Sequence, residues 1–218
     1  MSRQYRNSIV IIAVLSIAGC AGRSARPTKP EDPFLAIGAA PLPVEALAGG
    51  SALLLPVGAL VLGDSAARVP DLVSRRFGLL AVAGAVLDTA LRQNAPAVRW
   101  LGLAEQRRAL HMAPALGIEP DRLETAYLMG SRVESLTDPL WSQLRTLEGM
   151  TGARIAVAPA GVKIERRGGS FVATYVLVMA DSRTGRLQWR GRTDGAPAAT
   201  PEAALKSAAA AAVTGAAH

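Results

Sequence analysis

Few side chains in this sequence could carry out catalysis. The 218 residues contain one cysteine, Cys20, and two histidines, His111 and His218. A general base needs a partner within hydrogen-bonding distance, and no nucleophile, carboxylate or metal-ligand motif stands at a defined spacing from His111. A single cysteine also excludes an internal disulfide and a cysteine-cluster zinc site. We therefore expect a protein that is not an enzyme and that holds no metal and no cofactor.

The chemistry available to Cys20 is indicated by the segment before it. Arg3 and Arg6 precede an apolar run at residues 9–15, and small residues lead up to the cysteine. This three-part pattern is typical of a secretory signal, and the run is shorter than the roughly 20 residues of a membrane-spanning helix. The tail Ile17-Ala18-Gly19-Cys20 resembles a bacterial lipobox.

The lipobox resemblance has consequences for the anchor and for the compartment. It implies that residues 1–19 are a signal peptide and that the thiol of Cys20 carries a diacylglycerol, with a further acyl chain such as palmitate on the new amino terminus. Several acyl chains give stable membrane attachment, at about 0.8 kcal/mol for each buried CH₂ group. Ala21 favours the outer membrane in the enterobacterial pattern, so we expect a periplasm-facing envelope lipoprotein. The alternative is a chance cysteine in an ordinary signal peptide.

The residues after the cysteine predict a tether followed by one domain. Residues 20–50 contain five prolines, a density that prevents regular strand pairing and favours an extended spacer. Apolar segments with regular periodicity begin at residue 51. We therefore expect a lipid-anchored, proline-rich tether at 20–50 and a folded periplasmic domain at 51–215.

The order of the predicted elements indicates the fold class. Helical spacing of apolar residues alternates with short β-branched or apolar runs, which is typical of an α/β domain. The sequence predicts a mixed sheet with flanking helices and a C-terminal antiparallel hairpin. Predicted strands cover 51–63, 97–101, 155–162, 171–181 and 186–193, and predicted helices cover 71–94, 103–112, 121–129, a segment starting near Asp138 and a segment starting near Pro201.

The predicted hairpin supplies the candidate binding surface. Gly185 suits the positive φ of the turn at 182–185, and Leu187, Trp189 and Gly191 alternate with polar residues, so they should face the core. The opposite face then presents a row of cationic side chains to water, and it could contact an acidic partner, lipid head groups or cell-wall polymer. The alternative is an ordinary solvated face. The members of the row are Arg186, Arg190 and Arg192.

Three segments carry a family resemblance. They are "LDTALRQNAPAVRWLG", "LRTLEGMTGARIAVAPAGV" and "ATYVLVMADSRTGRLQWRGRTDG". They resemble the small α/β domain shared by the TolB amino-terminal domain, CsgG-type lipoproteins and the penicillin-binding-protein activator LpoB. The resemblance implies this fold and an envelope location, and its LpoB part implies activation of a cell-wall synthase. The matching residues are Leu147, Gly152, Ala153, Asp181, Thr184, Gly185 and Trp189.

These observations define the expected function. The chain has a net charge of +7, but export and the lack of an aromatic and basic platform argue against nucleic acid as a partner. We expect a lipid-anchored protein that binds or helps assemble periplasmic or outer-membrane components, with an envelope protein or a cell-wall polymer as its partner. The alternatives are an activator of a cell-wall synthase and an envelope hydrolase with an unrecognised site.

Overall fold

Two long apolar strands form the centre of the computed structural model, which describes residues 32–214. Strand β4 (Ile155–Arg167) and strand β5 (Ser170–Asp181) pair antiparallel through a turn in which Gly168 and Gly169 have φ of 55° and 92°. Every residue of β5 after its first is buried. An interior strand that is covered on both faces has this continuous apolar pattern, as predicted for 171–181.

The remaining strands complete one mixed sheet. Their bounds are Ser51–Leu54 (β1), Leu60–Leu62 (β2), Arg99–Leu101 (β3) and Leu187–Asp194 (β6). The order is β3-β1-β4-β5-β6, and β2 pairs with the second half of β4. Pairings of β1 with β3 and β4, and of β2 with β4, are parallel, whereas β4, β5 and β6 run antiparallel. The predicted α/β class, with a mixed sheet and a C-terminal hairpin, is confirmed.

The strand predicted over 51–63 is divided into β1 and β2 by a close approach of three backbone segments. A Cβ at Gly58 would lie 2.5 Å from the amide nitrogen of Ala126 and 2.6 Å from the carbonyl oxygen of Ala160. At the same level, β4 loses its regular register with β5 between Pro159 and Gly161. Only a residue without a side chain fits at position 58, and the chain bends there.

Six helices flank the sheet within residues 32–214. Helices α3 and α6 pack on one face of the sheet and α5 packs on the other. None of the helices in this part of the chain combines the length and the apolar character needed to cross a membrane. The bounds are Pro33–Ala36 (α1), Asp64–Ala67 (α2), Arg76–Asn94 (α3), Leu103–His111 (α4), Leu140–Thr151 (α5) and Pro201–Thr214 (α6).

The region between α4 and α5 differs from the prediction. In place of a helix over 121–129, the chain forms two 3₁₀ turns, at Pro120–Arg122 and Ala126–Met129. Thr125 lies between them, and its hydroxyl donates a hydrogen bond to the carbonyl of Pro56 at 3.2 Å. A continuous helix is therefore replaced by turns that follow the bend between β1 and β2.

The first described residues pack on the domain. Phe34 and Leu42 are 3% and 2% exposed, and the N–H of Leu42 donates to the carbonyl of Ala212 in α6. Residues 32–50 therefore form no free tether, and the packed structure begins before the boundary that the prolines predict at residue 51. The prolines favour extended backbone, as expected, but apolar side chains between them anchor this backbone to the core. The predicted signal peptide and Cys20 lie outside the described residues.

The outer edge of β6 is covered at both ends. The backbone N–H of Arg192 donates to the carbonyl of Gly38, and the N–H of Ala40 donates to the carbonyl of Arg192. At the other end, the N–H of Leu187 donates to the carbonyl of Glu134. Backbone groups that an edge strand leaves unpaired are thus used by two crossing segments.

A candidate binding cleft

A cleft of about 640 Å³ opens between α3 and α4, beyond the carboxyl ends of β1 and β3. In open α/β sheets, ligands bind preferentially at the carboxyl ends of parallel strands. The floor is apolar and is formed by Leu54, Pro56 and Val57, while Leu80 of α3 and Leu103 of α4 form the two walls. We define these residues and Gly84 as the α3–α4 cleft.

Small residues on α3 keep this cleft open. Ala81, Gly84 and Ala85 line the wall of α3. A Cβ at Gly84 would meet only Cγ2 of Val57, at 3.7 Å, so the space in front of this glycine is unfilled. A glycine inside a helix either weakens the helix or permits close packing, and the sequence alone does not indicate which partner Gly84 faces.

A buried glutamine fixes the two strand ends at the floor of the cleft. The side chain of Gln106 is fully buried, and its Nε2 donates to the carbonyls of Leu54 at 2.8 Å and Leu101 at 2.9 Å. These carbonyls lie at the last residues of β1 and β3. Gln106 therefore links the ends of β1 and β3 beneath the cleft.

The charged residues at the inner end of the cleft are paired. Arg92 lies between two carboxylates, with Nε 2.9 Å from Oδ2 of Asp88 and Nη2 3.2 Å from Oε1 of Glu105. The hydrogen bond that Arg92 donates to Asp88 and the negative charges of Asp88 and Glu105 raise the pKa of Arg92 against the opposing effect of burial. Gly102 makes room for this group, because a Cβ there would lie 2.9 Å from Oδ1 of Asp88.

A second ion pair forms part of the rim. The guanidinium of Arg107 in α4 binds the carboxylate of Asp121, and its hydrogen bond keeps the pKa of Asp121 below the ordinary value. The charged groups of the cleft thus pair with one another. The apolar residues of the cleft remain as the surface on which a bound ligand can bury its own apolar groups.

The predicted arginine row is not free at all three positions, although Arg186 and Arg190 both line one surface pocket of about 480 Å³. Arg190 uses its guanidinium inside the molecule, donating to the carbonyls of Ser131 at 3.0 Å and Val133 at 2.6 Å, and burial lowers its pKa. Arg192 donates to the carbonyl of Phe34 at 3.0 Å. Arg186 is exposed, so only one of the three is available as a free cation of the kind predicted.

A β-bulge separates Arg186 from the other two arginines of the row. Met179 pairs with Trp189, but the next residue of β5, Ala180, pairs with Leu187, so Gln188 is an extra residue in β6. Leu187 and Trp189 consequently pack against the hydrophobic cores on opposite faces of the sheet. The prediction that these two side chains share one face is wrong. Trp189 is half-buried and its indole lies over Gly191.

The other residues considered for chemistry have structural surroundings. Asp181 accepts hydrogen bonds from the backbone N–H groups of Arg183 and Thr184 and from Arg154, and Gly185 has φ of 73°, as the predicted turn requires. His111 is exposed at the end of α4. Within residues 32–214, no group of three or more His, Cys, Asp or Glu side chains could hold a metal ion.

Comparisons with known proteins give no family assignment. No family model matches the sequence. No curated protein matches it either. Identities and TM-scores as low as those of the solved structures described next carry no information about a partner or an activity.

Three solved structures are similar to parts of the chain. The LpoB C-terminal domain from Escherichia coli has 16% identity and a TM-score of 0.41, covering 69% of this chain and 84% of that chain. A PelC dodecamer from Paraburkholderia phytofirmans has 12% identity and a TM-score of 0.36, covering 80% and 89%. A lipoprotein from Neisseria meningitidis has 17% identity and a TM-score of 0.31, covering 66% and 78%. Of the resemblance described from the sequence, the LpoB part has a counterpart among these three, and the TolB and CsgG parts have none among them.

Proposed function

We propose that this chain is a lipid-anchored, non-catalytic protein of the cell envelope that binds an apolar segment of another protein in the α3–α4 cleft. The observation that carries this proposal is the unfilled space in front of Gly84, in an apolar cleft whose charged residues are ion-paired. Apolar surface that is removed from water contributes about 25 cal/mol per Å², so an inserted aliphatic or aromatic side chain would be stabilised there.

The electrostatics of the cleft favour binding over hydrolysis. A general acid or base that works near neutral pH needs a pKa close to that pH. The cleft carboxylates instead lie beside arginines, and the pKa of Asp121 is lowered. A hydrolase that uses a general acid or base would need a carboxyl or imidazole group whose surroundings bring its pKa close to neutral.

The compartment and the anchor are supported by the sequence. The lipobox-like tail places the lipid on Cys20, and Ala21 favours the outer membrane. The protein would then face the periplasm from the outer membrane, where proteins and the cell wall are its available partners.

A cell-wall synthase is the specific partner that we propose, and the protein would act as its activator. The support is the sequence resemblance to the group that includes LpoB, at Leu147, Gly152, Ala153, Asp181, Thr184, Gly185 and Trp189. The broader function, binding an envelope protein in the cleft, does not depend on this choice of partner.

Two glycines of α3 provide a matched test of the cleft. Gly84→Leu would fill the cleft, whereas Gly78→Leu adds the same side chain on the same helix, outside the cleft, where a Cβ meets nothing within 4 Å. We expect Gly84→Leu to reduce the amount of partner co-purified from crosslinked envelopes by at least about tenfold, which corresponds to about 1.4 kcal/mol. Gly78→Leu should leave it unchanged, and an equal effect of both variants would refute the cleft as the binding site.

A photo-crosslinking residue can identify the partner. Ala85 lines the cleft, and Thr89 is exposed one turn later, outside it. A crosslink at position 85 but not at 89 is expected, and a cell-wall synthase as the captured protein would support the activator. Capture of a different envelope protein at position 85 would retain the binding function and exclude the synthase. If the purified full-length protein turned over cell-wall polymer and Asp88→Asn abolished this turnover, the result would contradict the proposed binding function and support a hydrolase.

A further inference from the structure

The packing of the first described residues shortens the connection to the membrane. Oδ2 of Asp32 lies 2.7 Å from Nζ of Lys163, and Oδ1 of Asp32 accepts the N–H of Phe34 at 3.0 Å. Twelve residue steps separate Cys20 from Asp32. Even a fully extended chain of that length spans only about 40 Å, which is also about the diameter of a domain of this size. A lipid on Cys20 would therefore hold the domain at the membrane surface.

The point where the chain enters the domain lies at the same end of β4 as helix α2. Lys163, which binds Asp32, also binds Glu165 at 2.6 Å. A Cβ at Gly63, directly before α2, would lie 2.9 Å from Cγ of Glu165. One residue further along β4, the hydroxyl of Ser65 donates to the carbonyl of Arg166 at 2.8 Å. The segment that follows α2 thus starts at the end of the molecule to which the lipid is connected.

This segment, residues 68–77, exposes apolar and cationic side chains together. Val73 and Phe77, four residues apart, are 60% and 84% exposed, and Phe77 also lines the α3–α4 cleft, so the segment adjoins that cleft. Arg68 and Arg76 are exposed too, and neither forms an ion pair within residues 32–214. Aromatic and aliphatic side chains beside arginine are typical of surfaces that lie in the interface of an anionic bilayer.

The stability of the domain alone does not account for this arrangement. Helix α3 starts without a side-chain cap and without an acidic residue in its first turn. Arg75, which is paired with Glu202, and Arg76, which forms no ion pair within residues 32–214, stand there instead, although the positive end of a helix dipole disfavours cations. Asp71 has φ of 67°, a conformation that non-glycine residues rarely adopt. Anionic head groups would offset the unfavourable position of Arg76, and a bilayer interface would remove Phe77 from water.

We infer that residues 68–77 form a second membrane contact. The side chains of Val73 and Phe77 enter the interface of the bilayer that holds the lipid of Cys20, and Arg68 and Arg76 contact lipid phosphates. The inference rests on the lipid anchor of the proposed function. The short connection selects the bilayer as the occupant of this surface, because it brings this end of the domain to the membrane.

The single cysteine allows a site-specific test on the full-length lipoprotein. Lipid occupies the thiol of Cys20, so a cysteine introduced by Phe77→Cys is the only thiol available for an environment-sensitive fluorophore. Met112→Cys is the matched control, because Met112 is 82% exposed and lies just after α4. Both proteins are reconstituted in phosphatidylethanolamine–phosphatidylglycerol vesicles that contain nitroxide-labelled lipid.

Quenching by the nitroxide lipid decides the question. We expect a blue shift and at least about twofold quenching at position 77, as for a side chain in the interface, and neither effect at position 112. Arg68→Glu combined with Arg76→Glu should remove the quenching at position 77, whereas Arg108→Glu on exposed α4 should not. Equal responses at 77 and 112, or a crosslink from 77 to a protein without lipid quenching, would overturn the inference.

Intact-mass measurement separates this inference from the proposed anchor. A mature protein without acyl groups on Cys20 would overturn the anchor itself. An acylated protein without quenching at position 77 would overturn only the second contact.

Discussion

Replacing Phe34 by alanine tests whether the chain before residue 51 belongs to the domain. The Phe34 side chain is 3% exposed in the cluster that also contains Ile37 and Leu128, and its ring lies 6.0 Å from Nζ of Lys163. Truncation of a buried phenylalanine destabilises a protein by about 3–5 kcal/mol, through lost burial and the cavity that remains. We expect Phe34→Ala to lower the free energy of unfolding by an amount in this range.

The neighbouring residue provides the control. Leu35 is 71% exposed, so Leu35→Ala should change the stability by no more than about 0.5 kcal/mol. For a domain of this size, each kcal/mol shifts Tm by about 2–4 °C, so thermal unfolding of the full-length protein should show Phe34→Ala melting about 6–20 °C lower. Leu35→Ala should melt with the wild type.

Equal melting temperatures for Phe34→Ala and Leu35→Ala would refute the reasoning. Such a result would mean that the segment before β1 is a free tether. The connection from Cys20 would then be longer, and the argument for a second membrane contact would lose its first step. Leu42→Ala gives an independent check, because Leu42 is 2% exposed on the other face of the sheet.

Three further predictions follow from single sites. Cys20→Ala should abolish acylation and release the protein from the membrane fraction, as intact mass and fractionation would show; an acylated variant would contradict the lipobox assignment. Gly191→Ala should cost about 1–3 kcal/mol, because its Cβ would overlap the Trp189 indole and lie 2.6 Å from the carbonyl oxygen of Ala40; Gly149→Ala, at an open helical position, should stabilise by up to about 1 kcal/mol in the same denaturation assay. Burial alone would raise the pKa of Asp181, but the hydrogen bonds from Arg154 and from two backbone N–H groups outweigh it and lower the pKa. Ionised Asp181 therefore stabilises the fold above pH 3.8, and this stabilisation is lost as the pH falls through the lowered pKa. Acid titration of Asp181→Asn should consequently show a weaker loss of stability than that of the wild type.

Local patterns were sufficient to predict the elements whose residues interact within one segment. The stripe of Leu140, Leu144 and Leu147 predicted α5, and all three side chains are buried. Gly185 predicted the hairpin turn because a positive φ is required there and few other residues adopt it. Each of these signals depends only on neighbours in the sequence.

The features that the sequence did not reveal depend on distant parts of the chain. The bulge at Gln188 reverses the face on which Trp189 lies, and no composition or spacing within 186–193 indicates it. The guanidinium groups of Arg190 and Arg192 are occupied by carbonyls from segments more than fifty residues away. A charge pattern therefore predicted a free surface that the fold uses for internal hydrogen bonds.

The α3–α4 cleft was missed for the same reason. Gly84 gave a visible signal, but its meaning depends on Val57, which the strand bend at Gly58 places opposite the helix. The packed segment around Phe34 was missed because proline content was read as evidence for a spacer. Four apolar residues in that segment, Phe34, Ile37, Leu42 and Leu47, were the signal that could have corrected the boundary.

The covered edge of β6 would matter for a protein that is anchored, as proposed, in one membrane leaflet with other copies of itself. Diffusion in two dimensions brings anchored copies together often and in similar orientations, which are the conditions under which exposed strand edges nucleate polymers. The segments around Gly38 and Glu134 occupy the outer backbone groups at both ends of β6, and the guanidinium of Arg190 lies across the interval between them. An incoming strand would have to displace all three before it could pair. We therefore expect that copies crowded on the membrane would not associate through the outer edge of β6.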